Sequence, residues 1–151
     1  PEKVALALEH GYDHVINYSE QDFVAEVVRI TDGKKCDVVY DSVGKDTFMG
    51  SLDCLRPLGM MVSFGNASGP VPPFEPAILA AKGSLFFTRP TLMTYTAKRA
   101  DLLASAAELF EVVSSGAVKI EVLQTYPLAE TARAHRDLEA RKTTGSTVLL
   151  P

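Results

Sequence analysis

Two short polar corners hold most of the chemistry that this sequence offers. Asp41-Ser42-Val43-Gly44 closes the apolar run Cys36–Tyr40, and Ser63-Phe64-Gly65-Asn66 closes Met60–Val62. A serine hydroxyl beside a glycine, on backbone that tolerates close approach, suits hydrogen bonding to a ribose, a diphosphate or a carboxamide. Asp41 can equally act as a helix N-cap, and its whole corner also reads as an ordinary strand-to-helix turn. Bond-breaking chemistry has less support. Ser42 and Ser63 have no histidine base at a recognisable spacing and no G-x-S-x-G is present, so hydrolase chemistry fits poorly. His10, His14 and His135 lack the i,i+4 or carboxylate-partnered spacing of metal ligands and read as surface or core residues. Cys36 and Cys54 form no C-x-x-C and read as small core side chains. No residue stands out as an essential acid, nucleophile or metal ligand.

Corners of this kind need strands to carry them. A Val/Tyr or Met/Val run too short for a helix and closed by a glycine turn is how a strand buried on both faces of a parallel sheet ends, and ligands of open α/β sheets bind beyond such ends. The pattern predicts a helix closing near Gly11, a short strand at His14–Tyr18, a helix over Gln21–Thr31, a strand at Cys36–Asp41 and a helix over Asp46–Leu55. Arg56–Gly59 then turns the chain into a strand at Met60–Phe64. Val71-Pro72-Pro73-Phe74 forbids regular structure until a short helix at Pro76–Ala81, after which Ser84–Thr88 is a strand ended by Pro90. Right-handed crossovers between such strands give a doubly wound α/β sheet. The last third differs. A long amphipathic helix over Lys98–Ser115 precedes a short strand at Val118–Val122, a helix at Leu128–Arg141 and a terminal strand at Ser146–Leu150.

Composition bounds the rest. A chain of 151 residues that is 46% hydrophobic can bury one substantial core. A net charge of −4 with scattered basic residues argues against a nucleic-acid partner. No apolar run has the length of a membrane span and the first residues lack a signal-peptide layout, so the expectation is a cytoplasmic protein. A first helix with no strand before it suggests a chain that starts inside a βαβ unit, a piece of a longer protein. Neither G-x-G-x-x-G nor G-x-x-x-x-G-K-[ST] occurs, so the loop that would grip a pyrophosphate is not in the sequence.

Five ordered stretches carry a family resemblance: VINY (Val15–Tyr18), VVYDSVGKDTF (Val38–Phe48), SLDCLRPLGMMVSFGNASG (Ser51–Gly69), KGSLFFTRP (Lys82–Pro90) and YPLAETARAH…LEARKTTGSTVLLP (Tyr126–Pro151). Together they resemble the C-terminal half of an NADPH:quinone oxidoreductase of the zeta-crystallin-like, zinc-free branch of the medium-chain dehydrogenase/reductase superfamily, over essentially the whole chain. The resemblance implies that residues 1–115 are a partial Rossmann domain without its first strand and glycine loop. It implies that residues 116–151 return to a catalytic domain resembling the GroES barrel, whose main part would precede them. The chain by itself would then be catalytically incompetent.

The same resemblance assigns roles at single positions. Lys3 would reach the 2′-phosphate of NADPH, although it also reads as a solvated lysine; a lysine at a helix N-terminus gains nothing from the dipole and needs another reason to be there. Tyr18 would stack on adenine or else cover the edge of the core. Ser42, Val43 and Gly44 would contact ribose or diphosphate, and Ser63, Phe64, Gly65 and Asn66 the nicotinamide. Thr88 and Arg89 would border the nicotinamide pocket, with a plain exposed arginine as the alternative. Arg141 would reach toward the cofactor, or would complement a helix C-terminus. Electrons would pass from NADPH to a quinone-like acceptor. Two other readings remain open: another medium-chain reductase, such as an enoyl or enone reductase, and a non-catalytic assembly module. The resemblance also implies a homodimer joined through the edge strand Ser84–Thr88.

Overall fold

A computed structural model describes residues 2–151, which fall into two compact units, one up to residue 94 and one over residues 95–151. The first unit opens with α1 (Glu2–Glu9) and α2 (Phe23–Ile30). Helix α2 starts where it does because Asp22 caps it: the Asp22 carboxylate accepts the N–H groups of Val24 at 2.9 Å and Ala25 at 3.2 Å, a cap worth about 1 kcal/mol. It stops at Asp32-Gly33, both in the left-handed region, where the Gly33 N–H closes back on the Val28 carbonyl at 2.8 Å.

A parallel sheet follows, with β1 (Cys36–Asp41), β2 (Leu55–Ser63) and β3 (Phe86–Thr88) side by side in chain order. Helices α3 (Phe48–Asp53) and α4 (Ala77–Ala81) lie in the two crossovers. The core forms from Phe48 and Leu52 of α3, Leu55 and Met61 of β2, and Leu85. Phe74, from the proline-rich loop, joins it, its ring centroid 4.9 Å from that of Phe48 and 5.5 Å from that of Phe87. Phe74 is only partly buried, so it contributes less than the roughly 1.5–3 kcal/mol of a fully buried side chain of this size, but its packing still ties a loop without secondary structure to the core. Phe23 of α2 lies against Gly50 of α3, where an added Cβ would come within 2.4 Å of the ring. A short helix, α5 (Leu92–Tyr95), spans the boundary between the units.

The second unit holds α6 (Arg99–Ser114), β4 (Val122–Pro127), a single 3-10 turn at Leu128–Glu130, α7 (Thr131–Glu139) and β5 (Ser146–Leu150). Strands β4 and β5 pair in parallel, Val122 opposite Ser146 and Pro127 opposite Leu150. Tyr126 ties strand to helix: its hydroxyl donates to Asp137 at 3.1 Å, and the Arg133 guanidinium lies 5.7 Å from its ring centroid.

Three expectations need correction. His14–Tyr18 is not a strand; Val15 and Ile16 are half-buried as a strand would bury them, but among the described residues no neighbouring strand takes their backbone groups into a ladder. The turn at Arg56–Gly59 lies inside β2. Leu58 does adopt φ +62°, and the β1–β2 register jumps between Cys36 opposite Leu55 and Val38 opposite Met60, so the turn chemistry produces a bulge and not a strand boundary. The strand placed at Val118–Val122 is β4, which begins at Val122, since β5 supplies partners only from there.

Candidate functional site

The parallel register places three strand ends on one edge of the sheet. Asp41 lies opposite Ser63, and Val62 opposite Thr88, so the corners that follow β1, β2 and β3 come together beyond the carboxyl ends of the strands. The first two corners are joined backbone to backbone. The Phe64 N–H donates to the Asp41 carbonyl at 2.9 Å, the Ala67 N–H to the Ser42 carbonyl at 3.1 Å and the Ser68 N–H to the Val43 carbonyl at 2.8 Å. Ser68 adds a side-chain clamp, its hydroxyl donating to the Val43 carbonyl at 2.9 Å and accepting the Asp46 N–H at 3.0 Å.

The glycines are explained by this contact. A Cβ on Gly65 would lie 2.2 Å from the Ser42 carbonyl oxygen, and one on Gly44, at φ +89°, would lie 2.6 Å from that of Gly69. The close approach read from the sequence is therefore, in this fold, the approach of one corner to the other.

Asp41 organises the first corner from below. It is 4% exposed, and its Oδ1 accepts the N–H groups of Val43 at 2.8 Å and Gly44 at 2.9 Å. Its Oδ2 accepts the hydroxyls of Thr47 at 2.8 Å and Ser51 at 2.7 Å. Burial alone would push this carboxyl up, but the hydrogen bonds from Gly44, Ser51, Thr47 and Val43 outweigh it and hold the group below the usual aspartate range. The third corner closes on the second through Arg89, whose Nη1 donates to the Ser63 carbonyl at 2.9 Å. Two clefts flank the strand ends. One of about 530 Å³ is lined by Ser63, Asn66, Phe74, Phe87 and Arg89. The other, of about 270 Å³, is lined by Tyr18, Tyr40, Asp41, Ser42 and Val43 among others.

Of the residues singled out from the sequence, Ser42, Val43, Gly44, Ser63, Phe64, Gly65, Asn66, Thr88 and Arg89 converge at this edge. Tyr18, about half exposed, lines the smaller cleft with Ser42 and Val43. Lys3 lies exposed on α1. Arg141 belongs to the second unit, where it follows α7 at φ +57° with its N–H on the Leu138 carbonyl, a helix-ending position that glycine more often takes. Sequence reasoning treated Asp41 only as a possible cap and passed over Ser68. An Asp followed by Ser-Val-Gly is an Asx-turn signal, and Thr47 and Ser51, one helical turn apart amid Phe48 and Leu52, were the sign of a buried polar partner.

An α/β unit with a parallel sheet and glycine corners at its strand ends is the class of nucleotide-binding domains. The zinc-binding dehydrogenase family description matches residues 10–149, and the chain belongs to that family. It is 56% identical to a Pseudomonas aeruginosa quinone oxidoreductase over 100% of this chain and 46% of that protein. It is 50% identical to a 2-haloacrylate reductase from a Burkholderia species, over 99% of this chain and 45% of that protein. Among solved structures, the Escherichia coli quinone oxidoreductase complexed with NADPH superposes with a TM-score of 0.96 at 49% identity, covering 99% of this chain and 47% of that one. The chain thus spans about half the length of the relatives it matches. Among the described residues no group of three or more His, Cys, Asp or Glu side chains could hold a metal ion, so the donor set does not fit the zinc of the family's name. No helix among them is long and apolar enough to cross a membrane.

Proposed function

We propose that the chain is the cofactor-binding portion of an NADPH-dependent quinone oxidoreductase that passes electrons from NADPH to a quinone-like acceptor. The observation that carries this reading is the convergence of three strand-end corners beside two clefts, in a chain similar to a relative whose structure holds NADPH. In this reading Ser42, Val43 and Gly44 serve the ribose and diphosphate, and Ser63, Phe64, Gly65 and Asn66, bordered by Thr88 and Arg89, serve the nicotinamide. Lys3 serves the 2′-phosphate and Tyr18 the adenine, and Arg141 keeps the cofactor role that the family resemblance implies.

Bound NADPH supplies a hydride equivalent; the residues named here bind, orient and exclude water, and none is assigned as acid or nucleophile. Residues 1–115 form the nucleotide-binding part and 116–151 return to the catalytic domain. The protein is cytoplasmic and dimerises through the edge segment Ser84–Thr88, of which Phe86–Thr88 is the strand itself, since Ser84 lies in a bend at φ +55°.

Calorimetric titration of NADPH into the chain, with NADH as control, tests the reading. Weak but NADPH-selective binding is expected, since the loop that would grip the pyrophosphate is not in the sequence; no heat at millimolar cofactor would overturn the assignment of the site to these residues. The similarity to a 2-haloacrylate reductase supports a second reading, reduction of an activated C=C bond. Comparing turnover of a quinone and of a 2-haloacrylate by a full-length protein carrying this chain separates the two.

A further inference from the structure

We propose that Asp41 is a positioning residue that sets the corner Ser42–Gly44 for the cofactor, a role that rests on reading this corner as part of an NADPH site. A carboxylate offers about four lone-pair positions, and Asp41 fills them with two corner N–H groups and two hydroxyls, of Thr47 and Ser51. Buried and saturated, it has no acceptor left for a ligand or for a transferred proton. Nor is it a cap of the following helix. The N–H groups it takes belong to Val43 and Gly44, ahead of α3, whose N-cap position is held by Thr47.

The consequence falls on Ser42. The N–H groups of the next two residues turn inward to Asp41, and the Ser42 carbonyl is held by the Ala67 N–H at 3.1 Å. The exposed Ser42 side chain is thereby presented outward, toward the cleft, on backbone held in place, with its hydroxyl available to a ribose or diphosphate oxygen. Fixing that backbone beforehand removes an ordering cost from binding. The Asp41 carboxylate stays ionised, but the dipoles of its four donors offset part of its charge and so reduce its repulsion of an incoming anion.

Asp41→Ala, Asp41→Asn and Ser51→Ala, each titrated with NADPH at a temperature where circular dichroism shows every variant folded, provide the test. Asp41→Asn keeps an oxygen for the two corner N–H groups, whereas Ser51→Ala removes one donor on the helix side only. Asp41→Ala is expected to weaken NADPH binding about tenfold or more, while Asp41→Asn and Ser51→Ala stay within about threefold and only lower the melting temperature. Should Asp41→Ala not fold, Asp41→Ser, whose hydroxyl oxygen lies one bond short of the carboxylate oxygens and holds the corner N–H groups more weakly, is read in its place. Affinity unchanged in Asp41→Ala, or affinity lost in proportion to melting temperature across all variants, would overturn the positioning role while leaving the site. Absence of NADPH binding by the unsubstituted chain would instead remove the site, and the role with it.

Discussion

Replacing Gly65 by alanine tests whether the two corners touch as the structure has them. The new methyl would lie 2.2 Å from the Ser42 carbonyl oxygen, 2.7 Å from its Cα and 2.8 Å from its carbonyl carbon. Carbon and oxygen normally approach to about 3.3 Å, so the corners must separate by about 1 Å. What opposes them is backbone and not a flexible side-chain tip, so the shift is taken from the bonds that join the corners: Phe64 N–H to Asp41, Ala67 N–H to Ser42 and Ser68 N–H to Val43. Overpacking of this kind costs about 1–3 kcal/mol, and the loss of one of these backbone bonds about 0.5–1.5 kcal/mol, for a total of about 1.5–4.5 kcal/mol. In urea denaturation followed by circular dichroism, with a slope of roughly 1–3 kcal/mol per M, the midpoint falls by on the order of 1 M. Gly33→Ala is the internal control. Gly33 sits at φ +77° with nothing within 4 Å of an added Cβ, so only the left-handed strain remains, about 1 kcal/mol. A Gly65→Ala midpoint no lower than that of Gly33→Ala would refute the contact.

Asp41 gives a pH prediction with a definite sign: its folded-state pKa is depressed, so its contribution to stability is present above the ordinary aspartate value of about 3.9 and lost as pH falls through the folded value. Acid unfolding of Asp41→Asn should therefore be flatter than that of the unsubstituted chain at and below that pH; identical acid limbs count against the network. Burial pushes the Cys54 thiol up to about 11, and burial together with Asp37 raises Cys36 as well, so iodoacetamide at pH 8 should label the folded chain far more slowly than the urea-unfolded chain by mass spectrometry. Equal rates would mean that the thiols are not shielded. Phe86→Pro places a residue without an N–H in the edge strand β3, where Phe86 is 57% exposed. If that edge joins two copies, light scattering should report monomers, and a dimer that persists unchanged rules the edge out.

The sequence was most legible where one local signal sufficed. Strand β1 and strand β5 fall where short apolar runs and their neighbouring turn residues put them, and α6 differs from its expected span by one residue at each end. Legibility failed where an element depends on a partner. The VINY segment has strand-like side chains but no ladder, and β4 begins only where β5 can meet it. The stripe of α6 shows the same limit. Leu102, Leu103, Leu109 and Phe110 follow a helical period, yet all are exposed, because periodicity defines an apolar face without supplying what covers it.

The candidate site divides along the same line. Its residue types were readable because glycine, serine and asparagine after an apolar run mark the turn that leaves a strand end. The direction of their hydrogen bonds was not, since it depends on a contact between corners more than twenty positions apart, such as Ser68 on Val43 at |i−j| of 25. That contact changes the physical account of the corner. The backbone groups of Val43 and the Ser42 carbonyl, which the sequence would offer to a ligand, are engaged by Asp41, Ala67 and Ser68. If this strand end binds the cofactor as proposed, recognition rests on the Ser42 side chain and on whatever the neighbouring clefts contribute. Rigid backbone with one outward hydroxyl discriminates by position more than by number of bonds, so small shifts in the inter-corner contact should cost affinity out of proportion to any bond lost to the ligand itself.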